Sequence, residues 1–358
     1  MLTWIPESVI SKVTLDMNTN EDEKIEGTGG GGQAAQDLGL HFHRRNNILD
    51  FFARLVKEKP LGALGGVIVL ILLLTGIFAD FLAPYGMNET NAGDNLLGPT
   101  FQYLLGTDNL GRDMLSRVIY GARISLVVSL SAASISTVIS VFLGIICGYF
   151  GGKVDMVIQR FVEAIMCIPG LVLLIVVMSM LGPGLLQIIL VIGIQSGITG
   201  SRVARGITMS VKENVYVEAA VSIGASTSRI MFRHILPNIL APVIIMFTTR
   251  MPGIILMEAS LSFLGYGIPP PAPSWGGMLS GTGRNYMFLN PYLVIWPGLA
   301  LSIVVYGINM FGDAVRDLLD PRLRGGLGKY GGMSQEKLQK FVEKKRTELK
   351  QKQLLRSE

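Results

Sequence analysis

Long apolar segments without charge alternate with short polar segments along this chain. The charge-free runs cover 60–79, 124–152, 164–201 and 285–312. A transmembrane helix requires about 20 mostly apolar residues, so the 164–201 run is too long for a single crossing. A Leu-Gly-Pro-Gly turn at 181–184 divides that run into two. We therefore predict six membrane-spanning helices, at 61–82, 122–150, 162–181, 185–205, 237–258 and 289–312.

The amino-acid composition agrees with a membrane protein. Of the 358 residues, 49% are hydrophobic and only 16% are charged, whereas soluble domains average about 25% charged residues. The pattern contains none of the alternating strands of about ten residues that are typical of a transmembrane β-barrel. The predicted fold class is an all-α polytopic membrane protein.

The positions of lysine and arginine predict the orientation in the membrane. With the N-terminus inside, 26 of the 31 lysines and arginines fall in cytoplasmic segments, as the positive-inside rule requires. Both termini are therefore predicted to be cytoplasmic, and the net charge of +5 indicates anionic lipid as a neighbour and no nucleic-acid partner. Two long loops, 83–121 and 259–288, face outward and either contact an external partner or cover the helix ends.

The chain divides by composition into three parts. Residues 1–44 are polar and glycine-rich, and we expect them to form a disordered extension. Residues 45–325 form the predicted transmembrane domain, which starts with an amphipathic helix at Asn46–Pro60 on the membrane surface. Residues 326–358 form a basic cytoplasmic tail, rich in lysine and glutamate.

The sequence contains no motif for catalysis or cofactor binding. It has no phosphate-binding Gly-x-x-x-x-Gly-Lys-Ser/Thr loop, no Gly-x-Ser-x-Gly elbow and no His-Glu-x-x-His motif. We expect no enzyme activity, cofactor or metal site, and we interpret Cys147 and Cys167 as small buried apolar residues. The energy for uphill transport must then come from a partner that hydrolyses nucleotide or from an ion gradient.

Ionisable residues inside predicted spans mark candidate translocation sites, because their burial in lipid is costly. Arg250 lies near the middle of the fifth span and Glu258 lies at its end, and a kink at Met251–Gly253 would bring them closer. Arg250 either faces a water-filled translocation path or is buried in a helix contact. A single ionisable residue makes a poor proton relay, which disfavours ion-coupled transport. Near the inner face, Arg160 and Glu163 are expected to form an ion pair.

A charged segment, Val215–Asn238, interrupts the apolar pattern on the predicted cytoplasmic side. Its spacing predicts two short helices joined at Gly224, the second capped by Ser226 or Thr227, with Pro237 in the first turn of the next span. The residues that define the faces are Val215, Ala219, Ala220 and Ile223 (apolar, first helix), Ile230, Met231 and Ile235 (apolar, second helix), and Arg229 and Arg233 (polar side). Such a segment suits docking into a groove of another protein; the alternative is a loop that lies on lipid.

The same segment resembles a known family signature. "EAAVSIGASTSRIMFRHILPN" is similar to the Glu-Ala-Ala-x3-Gly-x9-Ile-x-Leu-Pro pattern of permease subunits in ABC importers. The matching positions are Glu218, Ala219, Ala220, Gly224, Leu236 and Pro237, while His234 replaces the isoleucine. Three further stretches, Leu104–Leu126, Glu258–Leu279 and Gly312–Arg324, resemble the "C"-type permeases of dipeptide, oligopeptide and nickel importers. The resemblance extends over about residues 45–325.

This resemblance implies a type I importer permease in a bacterial or archaeal cytoplasmic membrane. The implied partners are a second related permease, two cytoplasmic ATPase subunits that bind the ATP, and an extracytoplasmic substrate-binding protein. Segment 212–236 would dock on an ATPase through the signature residues together with Arg229 and Arg233. The translocation path would include Arg250 and Glu258. The implied substrates are di- or oligopeptides, with nickel as the alternative; an autonomous ion-coupled carrier is the alternative from another class.

Overall fold

The computed structural model describes residues 47–319; the predicted extension, the tail and the last residues of the predicted transmembrane domain lie outside the described residues. Of the described residues, those from 51 to 319 belong to a single unit. Within the described residues the regular structure is helical, apart from one isolated β-bridge between Thr107 and Asp113. The helices are α1 (Asn47–Glu58), α2 (Pro60–Ile77), α3 (Ala79–Leu82), α4 (Met114–Phe150), α5 (Gly152–Met166), α6 (Gly170–Leu181), α7 (Leu185–Lys212), α8 (Val215–Ser222), α9 (Thr227–Phe263, with a π-helical turn at Ile230–Ile235), α10 (Trp275–Met278, followed by a π-helical turn at Leu279–Gly283), α11 (Arg284–Tyr286) and α12 (Tyr292–Leu319).

Five of the described helices are long and apolar enough to cross a membrane, namely α2, α4, α7, α9 and α12. The pair α5 and α6, bent by 86° at a short break, makes a sixth crossing when it is counted as one span. Pro60 explains where the first span begins. It occupies the first turn of α2, where the N–H that proline lacks would have no helical acceptor. The predicted all-α polytopic fold is confirmed.

The structure differs from the sequence prediction at the third span, 162–181. Residues Cys167–Pro169 separate α5 from α6. Pro169 explains the break, because the proline ring pushes the residue before it out of the helical region of backbone conformation. Cys167 lies at this break and is exposed, so the prediction that it is buried is wrong, whereas Cys147 is buried as predicted.

Helices α4, α7, α9 and α12 each extend well beyond the spans predicted from hydrophobicity. Helix α4 begins at Met114 and not at 122, and α7 continues to Lys212 and not only to 205. Asp113 accounts for the early start of α4, since its carboxylate accepts a hydrogen bond from the backbone N–H of Ser116 at 2.7 Å and caps the helix. The first outer loop is correspondingly shorter than predicted.

The helix ends gather at two opposite ends of the bundle. The one that we call the inner end holds the C-termini of α4 and α7, helix α8 and the start of α9. These elements share a hydrophobic cluster whose buried members are Ile145, Val217, Ile230, Ile235 and Ile239. At the other end, the outer end, Asn290 donates hydrogen bonds to the carbonyl groups of Leu96 and Leu97 in the loop after α3, at 3.2 and 3.1 Å. The segments at the inner end are those predicted to be cytoplasmic.

Small residues bring α4 and α7 into close contact at the centre of the bundle. A Cβ atom placed on Gly148 of α4 would lie 2.7 Å from the Cβ of Thr208, and one placed on Gly197 of α7 would lie 2.7 Å from the Cβ of Ile139. Both distances are shorter than normal contacts, so only glycine fits. Small residues commonly allow the backbones of membrane helices to approach in this way. Helix α9 packs against both members of this pair.

Candidate functional site

Gly224 ends helix α8 in a left-handed conformation. Its φ angle is +79°, a region that residues with a Cβ rarely adopt. The N–H of Ala225 donates to the carbonyl of Ala220 at 3.0 Å, and the N–H of Gly224 donates to that of Val221 at 2.9 Å. This pair of hydrogen bonds is the Schellman arrangement of a helix C-terminus. The predicted end of the first short helix at Gly224 is confirmed.

Helix α8 presents one face to the protein and another to its surroundings. Val217 and Ala220, three residues apart, are 2% and 5% exposed and pack inward, whereas Val215 and Ile223 are 80% and 84% exposed. The predicted apolar face combined Val215, Ala219, Ala220 and Ile223, and the structure separates Ala220 from the other three. The reason is that Val217 occupies the inward side, and its neighbour at helical spacing is Ala220.

The predicted second short helix is instead the first part of the fifth span. Helix α9 runs from Thr227 to Phe263 without a break, and Ser226 precedes it without a side-chain capping bond. Within the π-helical turn, the N–H of Leu236 donates to the carbonyl of Met231, five residues earlier. Pro237 follows directly. Because proline lacks an N–H and crowds the preceding turn, the wider π-helical turn allows the helix to continue through it.

An exposed surface with apolar and charged side chains results at the inner end. We call it the inner surface; it consists of Val215, Tyr216, Glu218, Ala219, Val221, Ile223, Arg229, Phe232 and Arg233. Sequence reasoning missed Tyr216, Val221 and Phe232, whose exposure depends on which side of each helix packs inward. Of the other signature positions, Ala220 is buried, Leu236 is half-buried, and Gly224 and Pro237 are exposed. Contiguous exposed apolar surface bordered by charge is typical of an interaction site.

The side chain of Arg250 extends from α9 to α4 in the interior of the bundle. Its Nη1 donates to the hydroxyl oxygens of Ser136 at 2.7 Å and Ser140 at 2.8 Å. The guanidinium passes over Gly200 of α7, where any Cβ atom would collide with it. A cavity of about 280 Å³ adjoins the side chain, with Thr199 in its wall. Arg250 therefore contacts neighbouring helices and also borders a cavity, and no carboxylate among residues 47–319 pairs with it.

Glu258 lies two turns further along α9 and is fully buried. Its Oε1 accepts a hydrogen bond from the hydroxyl of Ser262 at 2.7 Å, and its Oε2 has no partner among the described residues. Pro252 lies within the continuous helix, and the kink expected there does not join Arg250 and Glu258 in an ion pair. The two groups are separate features of the same helix.

Comparison with known proteins identifies the family. Residues 140–325 match the binding-protein-dependent transport system inner membrane component family, and residues 49–99 match the N-terminal transmembrane domain of oligopeptide transport permease C. The chain belongs to this permease family. It is 38% identical to the dipeptide transport system permease protein DppC of Alkalihalophilus pseudofirmus over 269 residues, which cover 75% of this chain and 88% of that protein. It is also 38% identical to the glutathione transport system permease protein GsiD of Escherichia coli O157:H7, over 76% of this chain and 90% of the relative.

The family defines the role of this chain in general terms. It is the membrane permease of an ABC importer and not an enzyme, since ATP hydrolysis belongs to separate subunits. It is a multi-pass protein of the cytoplasmic membrane. As a permease, it functions in a transporter complex with other subunits.

Ion pairs connect α5 of the permease to α7 at the inner end. The predicted pair between Arg160 and Glu163 is confirmed at 2.9 Å, and Glu163 also contacts Arg202 of α7 at 3.2 Å. Arg205 of α7 binds Asp155 of α5 at 2.5 Å. These contacts fix the position of α5 relative to the helix that leads into the inner surface.

Proposed function

We propose that this permease forms the membrane path of an ATP-driven importer of di- and oligopeptides. The observation that carries the proposal is the similarity to relatives named as dipeptide and glutathione permeases, which extends over three quarters of the chain. Glutathione is itself a tripeptide, so both names describe short peptides. The path would be enclosed by the domain 45–325 together with a second, related permease.

The inner surface is the proposed dock for a cytoplasmic ATPase subunit. Its exposed apolar residues lie at the end of the bundle predicted to be cytoplasmic, where a soluble partner can reach them. On its inward side, α8 packs through Val217 against Ile230 and Ile235, which belong to the first turns of α9. A force on α8 would therefore pass directly into the helix that carries Arg250. The segment 212–236, with its signature residues, would act as the lever between nucleotide binding and the path.

Arg250 and Glu258 are the proposed polar positions of the path on α9. A cation without a carboxylate partner is costly inside a membrane protein, and such residues usually serve transport. The cavity beside Arg250 gives its guanidinium access to a passing substrate. The outer loops, which are tied to each other through Asn290, form the surface on which an extracytoplasmic substrate-binding protein would dock.

Uptake by the reconstituted transporter tests the proposed substrate. The permease is assembled with its partner permease and ATPases in proteoliposomes, and the binding protein and radiolabelled dialanine are added outside, with radioactive nickel in a parallel series. We expect ATP-dependent accumulation of dialanine that unlabelled trialanine competes away, and no accumulation of nickel. Accumulation of nickel with no uptake of either peptide would contradict the peptide proposal.

A further inference from the structure

The outer end of the bundle contains a cavity of about 350 Å³. Its wall is built from the start of α4, the loop between α9 and α10, and the turn after α10, with Leu293 of α12 at one side. Binding pockets for small molecules measure roughly 300–1,000 Å³. The cavity is therefore large enough for part of a short peptide, and nothing in the proposed coupling mechanism uses it.

Two arginines in the cavity wall share a single carboxylate. The Oδ2 of Asp108 lies 2.6 Å from the Nε of Arg112 and 3.7 Å from the Nε of Arg117. Its Oδ1 accepts backbone N–H bonds from Leu110 at 2.8 Å and from Arg112 at 3.0 Å. Asp108 has no oxygen left for another cation. The three side chains together carry a formal charge of +1, and all three line the cavity.

The arginines keep hydrogen-bond donors that no group among residues 47–319 accepts. Their side chains are only 10% and 9% exposed for Arg112 and Arg117. The terminal nitrogens of Arg112 donate to no acceptor among the described residues, and Arg117 uses one of its own for a long contact of 3.5 Å to the carbonyl of Pro271. Buried charged donors without acceptors are costly. A carboxylate fits them well, because its two oxygens match the geometry of a guanidinium group.

The remainder of the wall also suits a peptide end. Ile268, Met278 and Leu293 provide apolar surface next to the arginines. The wall residue Ser262 donates a hydrogen bond to Glu258, which is not itself part of the wall. The cavity thus combines a cationic corner with apolar contacts.

We propose that this outer cavity binds the C-terminal carboxylate of the transported peptide through Arg112 and Arg117. The inference rests on the proposed function and adds a capture site, at the outer end, for peptide released by the binding protein. Because both arginines line the cavity and their side chains are largely buried, a free peptide end reaches them more easily than a side chain on the surface of a folded protein. Arg250 would then be a second cation further along the route.

Peptide binding to the complex without the binding protein tests this proposal. The complex of both permeases and the ATPases is placed in lipid nanodiscs, and the affinity for trialanine is compared with that for trialanine amide. We expect the acid to bind at least tenfold more tightly than the amide, since a hydrogen bond to a charged group contributes about 1.5–3 kcal/mol. Arg117→Gln should lower the affinity for the acid at least tenfold and abolish the difference, whereas Arg117→Lys should retain part of it.

The control variant is Arg284→Gln, which removes an exposed arginine that is not in the cavity wall and should leave binding unchanged. If Arg117→Gln fails to assemble, Ser280→Phe, which fills the cavity and spares the charged groups, should weaken trialanine binding at least tenfold. Equal affinity for acid and amide would overturn the proposal. So would weakened docking of the binding protein in Arg117→Gln with peptide binding unchanged. Absence of peptide binding in a complex that still imports peptide would refute the capture site and leave the proposed function standing.

Discussion

Replacement of Gly224 by valine is expected to uncouple ATP hydrolysis from uptake. The left-handed backbone of Gly224 sets the angle between α8 and α9, and a residue with a Cβ atom is destabilised there by about 1–2 kcal/mol, with β-branched residues affected most. The turn would relax to another conformation, and α8 would change its direction relative to α9. We expect uptake per ATP hydrolysed to fall at least tenfold, while the ATPase subunits still copurify with the permease.

The matched control for this variant is Gly182→Val. Gly182 has a φ angle of +82°, and no atom lies within 4 Å of a Cβ placed there, as is also true of Gly224. It lies between α6 and α7, in a turn predicted to face outward. Its ψ angle of 161° places it in a backbone region that is essentially restricted to glycine, so Gly182→Val introduces backbone strain at a site without contact to an ATPase. The two variants separate coupling from general destabilisation. Normal coupled uptake by Gly224→Val would contradict the role of this turn as a lever.

Replacement of Arg250 by cysteine is expected to abolish most uptake and to expose the new thiol to water. Loss of the guanidinium removes the hydrogen bonds to Ser136 and Ser140 and the cation beside the cavity. We expect at least a tenfold decrease in uptake. In a Cys167→Ser background, a positively charged methanethiosulfonate reagent should label the thiol at 250, because the adjoining cavity admits water and small polar molecules.

Ile244→Cys provides the comparison on the same helix. Ile244 is exposed on the outside of the bundle, where it faces lipid or a partner helix, and the hydrophilic reagent should label it poorly. Labelling should be compared with ATP, with a non-hydrolysable analogue and without nucleotide. Complete protection of the thiol at 250 in all these states would show that Arg250 is a buried helix contact and not part of the path.

The helical fold could be predicted because long uncharged apolar runs leave few other structures in a membrane. The break at Cys167–Pro169 was missed because hydrophobicity continues across it, so the local backbone restriction of Pro169 was the only signal. The early start of α4 was missed because its first turns contain a charged residue, which lowers their hydrophobicity. Arg117 lies in these first turns, within the predicted outer loop 83–121, but it is buried beside Asp108, a contact that depends on the folded loop.

The sequence indicated where the candidate sites lie along the chain but not which residues contact each other there. The spacing from Glu218 to Pro237 located the inner surface, yet hydrophobicity alone did not show whether Val217 or Ala219 faces inward. The partners of Arg250 are 114 and 110 residues away in the chain. No pattern local to α9 could indicate Ser136 and Ser140, because their proximity results from the close packing of α4 and α7.

The central claim is that this chain is a permease driven by separate ATPase subunits, and uptake with and without those subunits tests it most directly. Proteoliposomes are prepared with this chain alone, and with this chain together with its partner permease and ATPases. Both are supplied with the binding protein, peptide, and either internal ATP or an imposed proton or sodium gradient. We predict uptake only by the complete complex and only with hydrolysable ATP. Peptide accumulation by this chain alone, driven by an ion gradient, would contradict the account.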